Sequence, residues 1–410
     1  MPVVMARLAW RGIANPGYRR HLLERFGYFR RRLGAPATVW VHAVSVGEVQ
    51  AAVPLVRALR ERHPREPLVV TTMTPTGRER ALGAFGDDVV VAFLPYDLPR
   101  WQARFLRRVR PRVAVVMETE LWPNLAHACE RLGVPMVLVN QRMSERSARG
   151  YRLIAPLARA VLRRAHAVAA QASADAERLV ALGAPAARTL VTGSLKFEAR
   201  PSASVGEAAQ ALRRVLGVDR SVWIAASTHD GEESQVLEAH RLLRAERPDA
   251  LLVLVPRHPE RFDAVATLAR QRGFRVARRT ESPTSCEGVD VFVGDTMGEL
   301  PVLYRASDVA FVGGSLVGVG GHNPLEPAAL GLPILSGPVV FNFAEIFDRL
   351  RAEELVHIVD DAPALGREVG RLLGDANLRH GLGEGARRFV EANRGALDRV
   401  LALVEQALRR

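Results

Sequence analysis

The chain has 410 residues, 48% hydrophobic and 25% charged, with a formal net charge of +13, a length that exceeds one ordinary core and predicts two or three domains. Its two cysteines, Cys129 and Cys286, lack metal-type spacing, so neither a disulfide framework nor structural zinc is expected. No charge-free run of about 18 apolar residues occurs, and the opening MPVVMARLAWRGI is broken by Arg7 and Arg11 without a small-residue cleavage site, which argues against a membrane-spanning helix and a secretory leader.

The positive charge is lopsided. Residues 1–200 carry 32 Lys+Arg against 15 Asp+Glu, whereas residues 201–410 carry 25 against 29. The first half should therefore meet an anionic partner, either nucleic acid or a membrane surface with phosphorylated lipid. Residues 16–32, PGYRRHLLERFGYFRRR, interleave Arg19, Arg20, Arg25, Arg30, Arg31 and Arg32 with Tyr18, Leu22, Leu23, Phe26, Tyr28 and Phe29. Such a segment either lies on a phospholipid surface or packs on the first domain as a solvated helix.

From Thr38 apolar runs alternate with amphipathic stretches. Strands are expected at 38–44, 67–72, 88–94, 112–117, 135–140 and 166–170, with helices between them. Continuous apolar strands separated by helices predict a parallel sheet covered on both faces, whose ligands gather beyond the carboxyl ends of the strands. The residues there are Ser45-Val46-Gly47-Glu48, Thr72 to Gly77, Pro95-Tyr96-Asp97, Glu118 to Asn124, and Asn140-Gln141-Arg142. Residues 193–206, GSLKFEARPSASVG, have turn composition and read as an interdomain crossover. The rhythm then restarts with strands expected at 221–226, 250–255, 274–277, 289–293, 308–312, 332–335 and 355–359. Expected domains are thus 1–193, with its basic segment 16–32, and 207–390, joined by a linker at 194–206. Helices from about 377 to 409 close the chain, and 391–410 is expected to cross back to the first domain.

Within the second half, Ala310 to Pro338 carries the densest signal. An apolar strand ends in Gly313-Gly314-Ser315, a glycine-rich loop runs to Gly320-Gly321, and His322-Asn323-Pro324-Leu325-Glu326-Pro327 leads into a short helix stopped by Gly331 and Pro333. Asn323 suits the cap and Pro324 the first turn, so a helix N-terminus would face a phosphate while Glu326 accepts from a ribose diol. A bare structural connection would not place His322, Asn323 and Glu326 in an apolar segment, which predicts a nucleotide site. No GxxxxGK[ST] occurs, the first strand leads into SVGEVQ and not GxGxxG, and neither His258 nor His322 sits in HExxH spacing. P-loop ATPases, ordinary dinucleotide folds and zinc hydrolases are therefore disfavoured. Two Rossmann-like domains with phosphate features in the second suggest transfer from a nucleotide-activated donor, the first domain holding the acceptor and the base.

The motifs PGYRRHLLERFGY, HAVSVGEVQAA, TTMTPTG, LPYDLP, METELWPN, NQRMSERS, GSLKF, ASTHDGE, VPRHPERF, DTMGELP, GGSLVGVGGHNPLEPAALG and GPVVFNF together resemble the bacterial 3-deoxy-D-manno-octulosonic acid (Kdo) transferases over nearly the whole chain. The resemblance implies an α/β GT-B fold, two doubly wound Rossmann-like domains facing a cleft. It implies inverting transfer of Kdo from CMP-Kdo to a lipid A precursor without cofactor or catalytic metal, and attachment to the inner face of the cytoplasmic membrane. Family members often begin with a longer apolar anchor; here either the start is truncated or anchoring relies on the arginine and aromatic surface.

The family's base falls in SVGE, hence Glu48, a carboxylate placed one residue past a glycine at the head of a helix. Glu118 and Glu120 are second candidates, orienting acceptor or base. Ser45, Gly47, Thr74, Arg142 and Arg146 are expected on the acceptor side. On the donor side Arg257, His258 and Lys196 would neutralise the departing phosphate. Met297, Gly298 and Glu299 would approach cytosine or ribose, and Ser227, Thr228, Gly321, His322, Asn323 and Glu326 complete the donor set. The alternatives are another CMP- or UDP-sugar transferase, or a non-catalytic nucleic-acid-binding protein; the latter is disfavoured because Glu48, Glu118 and Glu120 would repel a phosphodiester backbone.

Overall fold

The computed structural model describes residues 20–29, 33–198 and 204–409. Two compact units emerge, one built from residues 1–198 with 393–410 and the other from 199–392. In the first, a 3-10 turn at Leu22–Phe26 precedes β1 (Val39–His42), α1 (Val46–Arg62), β2 (Leu68–Thr72), α2 (Pro75–Phe85), β3 (Val90–Phe93), α3 (Pro99–Val109), β4 (Val113–Met117), α4 (Pro123–Arg131), β5 (Met136–Gln141), α5 (Glu145–Leu153), α6 (Ala155–Arg164), β6 (Ala167–Ala170), α7 (Ser173–Leu182) and β7 (Thr189–Val191). The second holds α8 (Ser204–Leu216), β8 (Val222–Thr228), α9 (Glu232–Glu246), β9 (Leu251–Pro256), α10 (Phe262–Gln271), β10 (Val276–Arg278), β11 (Val291–Val293), α11 (Leu300–Arg305), β12 (Val309–Val312), α12 (Leu325–Ala329), β13 (Ile334–Ser336), α13 (Ala344–Ala352), β14 (Val356–Ile358), α14 (Ala362–Gly374) and α15 (Ala376–Ala392). The last helix, α16 (Ala396–Leu408), belongs to the first unit.

Both sheets are seven-stranded and parallel, ordered β3-β2-β1-β4-β5-β6-β7 and β10-β11-β9-β8-β12-β13-β14. The chain winds outward from β1 to β3, then returns to the other side of β1 with β4; in the second sheet β9, β10 and β11 fill one side of β8, with β10 at the edge and β11 between it and β9, before β12 opens the other side. Loops diverge above these two reversal points, leaving open ground at the strands' carboxyl ends. Because every central strand is covered on both faces, the strands are apolar throughout, as in the fully buried β1 and β4. One face of the first sheet packs against α1 and α2 together with Val400, Leu401 and Val404 of α16, and the other against α3, α4, α6 and α7. The second sheet lies between α9, α10 and α14 on one side and α8 and α11 on the other.

Several local expectations change. Strand β7 was not anticipated, because a three-residue edge strand that leaves Leu190 and Val191 exposed has no apolar pattern to announce it. The turn-like stretch 194–198 folds into the first unit as a 3-10 turn (Leu195–Glu198) with Leu195 and Phe197 buried, so the division falls after residue 198. The closing helical stretch breaks at Gly395, whose φ of 93° is costly for other residues. In the basic segment, Arg25 is only 1% exposed: its Nη1 donates to the Met73 carbonyl at 3.1 Å and its guanidinium sits 3.9 Å over the Phe93 ring. Phe26 and Phe29 meet Trp101 and Phe105 edge-on. These three side chains therefore pack on the first unit and do not face a lipid surface, whereas Arg20, Leu22, Leu23 and Tyr28 are exposed. Tyr18, Arg19, Arg30, Arg31 and Arg32 lie outside the described residues.

Candidate functional site

In the first unit, the reversal between β1 and β4 gathers three carboxylates. Ser45 caps α1, its hydroxyl accepting from the Glu48 N–H, and the Glu48 side chain folds back on the same turn. Its Oε2 accepts from the Val44 N–H at 2.8 Å and its Oε1 from the Ser45 hydroxyl at 3.0 Å. The residue is 7% exposed. Burial pushes its pKa up to about 7, the Val44 N–H opposes the rise, and the negative charges of Glu118 and Glu120 add to it. Glu118 lies just past β4 in left-handed backbone, φ 52°, a conformation that costs a non-glycine residue about 1 kcal/mol or more and needs local anchoring. Gln141 provides an anchor by donating from its amide to the Glu118 carbonyl. Glu120 accepts from Trp122 Nε1 at 2.7 Å; burial raises its pKa, the indole bond opposes that, and Glu118 reinforces it.

Lys196 belongs to this cluster. Its Nζ lies 3.4 Å from Glu118 Oε1, a position set by buried Asn140, whose Oδ1 accepts from the Leu195 N–H at 3.0 Å and the Ser194 hydroxyl at 3.3 Å. The 3-10 turn that carries Lys196, expected on the donor side, is part of the first unit, and its partner there is the Glu118 carboxylate. Thr74 caps α2 by accepting from the Gly77 N–H and donates to the Val44 carbonyl, so its hydroxyl organises the rim. Gly47 is exposed on the first turn of α1, where an added Cβ would meet only Ser45 Oγ at 3.9 Å. Arg142 and Arg146 are exposed; the Arg142 carbonyl accepts from the Thr119 hydroxyl.

In the second unit, the reversal between β8 and β12 brings the loop after β8 against the glycine-rich loop. The organiser is Glu232, fully buried at the start of α9. Its carboxylate accepts from the N–H groups of Gly314 at 2.6 Å, Ser315 and Leu316 at 3.0 Å, and His229 at 3.2 Å. A Cβ on Gly313 would lie 2.8 Å from that carboxylate, so only glycine admits the close approach. From the other side Asn342 donates to the carbonyls of Val319 and Gly321, and Gly321, at φ 73°, passes too close to Val339 and Val340 to carry a side chain without displacement.

The loops hold His229 and His322 with their Nε2 atoms 2.8 Å apart and their rings parallel within 3°. That separation is too short for stacked faces, so the rings meet edge to edge and one N–H donates to the other's lone pair. A single shared proton suits the pair, and both resist charging. Burial and then the positive charges of Arg257, His229 and His258 lower His322 to about 3; burial, His258 and the nearby arginines lower His229. The exposed His258 ring meets His229 at 5.2 Å, and the half-buried Arg257 side chain has no ion-pair partner among the described residues. An anion here would convert this concentration of positive potential from a cost to a gain.

Other donor-side expectations divide. Thr228 is buried, its hydroxyl directed to Glu233 at 3.5 Å, and Ser227 sits in left-handed backbone at φ 59°. Glu299 accepts two bonds from Arg279 and one from Thr296, whereas Met297 and Gly298 are exposed. Asn323 accepts from the Leu325 N–H and donates to Glu326 at 3.3 Å, as a capping residue would, but α12 is a single turn of five residues. The N-terminus of so short a helix has little aligned dipole to offer an anion, and the fixed positive charge beside these loops is that of Arg257. Sequence reasoning missed the anchoring by Glu232, its pairing of His229 with His322, and the positioning by Asn140; only the Gly231-Glu232 helix start and the post-strand Asn140 pointed to them. Among the described residues no three His, Cys, Asp or Glu side chains are placed to hold a metal ion.

Two parallel-sheet Rossmann-like units with ligand loops at both reversal points define a GT-B glycosyltransferase, and residues 219–389 match the family model described as glycosyl transferases group 1. A UDP-GlcNAc 2-epimerase from Neisseria meningitidis shares the overall fold, with a TM-score of 0.57 and 12% identity, covering 91% of this chain and 100% of its own. The chain belongs to the 3-deoxy-D-manno-octulosonic-acid transferase (kdotransferase) family, whose model matches residues 20–199. It is 41% identical to the 3-deoxy-D-manno-octulosonic acid transferase of Haemophilus influenzae over 100% of this chain and 96% of that protein, and 40% identical to the Bordetella pertussis transferase over 97% and 95%.

Proposed function

We propose that this Kdo transferase takes Kdo from CMP-Kdo to a phosphorylated lipid A precursor at the cytoplasmic face of the inner membrane, with inversion at the anomeric carbon and Glu48 as the base. The observation that carries the assignment is the environment of Glu48: a buried carboxylate beside two others, with a pKa of about 7, is deprotonated in part at neutral pH and yet basic enough to accept a proton. In the step, an acceptor hydroxyl attacks the anomeric carbon of Kdo while its proton passes to Glu48. The bond from that carbon to the CMP phosphate oxygen breaks, its electron pair leaving with CMP. Lys196 balances Glu118, so the negative charge opposing Glu48 ionisation is limited.

On the donor side, Arg257 and His258 pair with the CMP phosphate, beside the His229–His322 pair. Glu326 accepts from ribose hydroxyls, and the exposed Met297–Gly298 loop meets the cytosine. Ser45, Gly47, Arg142 and Arg146 border the acceptor. Incubation of the purified chain with CMP-Kdo and tetraacylated lipid A precursor, followed by mass spectrometry, should yield product heavier by Kdo residues. Absence of product with this pair, but turnover with another nucleotide sugar, would overturn the assignment.

A further inference from the structure

Helix α5 contains no buried residue, and the corner where it meets α6 turns apolar side chains outward. Leu153 is 88% exposed, Ile154 48% and Leu157 53%. Single exposed leucines are ordinary, but three on adjoining turns form a ridge. The stretch 145–164 surrounds it with six arginines and one carboxylate. Beside it, between α5 and α7, a groove of about 300 Å³ is lined by Arg149, Arg152 and Arg178 with Glu145 and Leu182. Arg178 donates to the Met143 carbonyl and lies 3.7 Å from Glu145, whereas Arg149 and Arg152 form no ion pair among the described residues.

From this arrangement we infer that the α5–α6 corner is the part of the first unit that enters an anionic phospholipid surface, Leu153, Ile154 and Leu157 going below the headgroups and Arg149 and Arg152 engaging their phosphates. Charge selects this occupant: a second copy of the corner would set arginine against arginine, and an uncharged partner would leave the arginines unanswered. Long arginine side chains can reach headgroup level while the residues between them insert. The corner is also tied to the carboxylate cluster, because Tyr151 of α5 donates to the Thr119 carbonyl at 3.3 Å, beside Glu118 and Glu120. A membrane-held acceptor would thus be presented close to Glu48. The inference rests on the proposed function for its membrane location and adds a contact to the one expected of residues 16–32, of which Arg25, Phe26 and Phe29 face inward.

The full chain should sediment with vesicles of phosphatidylcholine and phosphatidylglycerol at 3:1 and much less with phosphatidylcholine alone. Replacing Leu153, Ile154 and Leu157 together by Ser should lower partitioning to the anionic vesicles about ten-fold or more, and Arg149→Gln with Arg152→Gln should lower it on those vesicles only. Transfer to detergent-dispersed acceptor should be unchanged in both variants. Variants that sediment as wild type does would overturn the corner while leaving the transfer reading intact; a wild type that binds vesicles through the corner but transfers no Kdo would overturn the transfer reading alone. Should the triple variant fail to fold, Leu153→Cys decides: both native cysteines are buried, so a polarity-sensitive fluorophore labels that position selectively. A blue shift with anionic vesicles is expected, and an unshifted spectrum would refute insertion.

Discussion

Glu48→Gln separates a catalytic carboxylate from a structural one. Gln keeps the shape: its carbonyl can accept from the Val44 N–H, and its amide can donate to Ser45. What disappears is a buried charge. A rise in pKa from the ordinary 4.5 to about 7 means that ionising Glu48 costs the folded state about 3 kcal/mol more than the unfolded chain. The stability held by the protonated form is complete below pH 4.5 and lost as pH rises through 7, because there the folded state binds the extra proton. At pH 8 the variant should therefore be more stable than wild type by about 3 kcal/mol, and at pH 5 by only about 1 kcal/mol. For a unit of this size the larger figure corresponds to roughly 6–12 °C in Tm. Calorimetric melts at the two pH values measure it. In the same protein, transfer should be abolished while CMP affinity changes little, and wild-type kcat/KM should fall on the acid side of about pH 7. A Tm gain no larger at pH 8 than at pH 5 would refute the burial argument, and near-normal turnover in the variant would refute the base.

Glu232→Ala should leave the N–H groups of Gly314, Ser315 and Leu316 without their acceptor at about 1–3 kcal/mol each, loosening the glycine-rich loop; calorimetry should then show both a lower Tm and CMP affinity reduced at least ten-fold. Glu326→Ala should weaken CMP binding by roughly 1–3 kcal/mol, the scale of hydrogen bonds to a charged group, and an unchanged titration of the folded variant would remove Glu326 from the site. His42 and His240 are buried and lowered to about 4 and about 3, mainly by desolvation, so the unfolded chain takes up their protons first as pH falls. Their stabilising effect is whole above pH 6.5 and lost toward pH 3–4. Urea titrations of His240→Gln should show a pH slope shallower by up to about 1.4 kcal/mol per unit in that window, and an unchanged slope would exclude His240 as a titrating group.

Much of this protein is legible from its sequence because the signals are local. Strand and helix periods arise from which face of each element is covered, so the alternation from residue 38 onward and the restart near residue 221 show in composition alone. The post-strand motifs containing Glu48, Glu118, Arg257 and His322 follow, since a parallel sheet exposes only its strand ends. Tertiary structure alone decided which ends meet. Placing β1 beside β4 and β8 beside β12 depends on the pairing of strands distant in the chain, and that pairing sets Glu48 near Glu118 and Glu120, and His229 on His322. The same holds for Glu232, whose helix-start position says nothing of the loop 82 residues away that it grips, and for Lys196, drawn to Glu118 by a turn that reads as linker. Arg25 shows the limit most plainly: an arginine among arginines looks solvent-facing, and its burial depends on partners distant in the chain, the Met73 carbonyl and the Phe93 ring among them. Pattern reports what an element needs to cover, whereas the partner that covers it is supplied by chain distant in sequence.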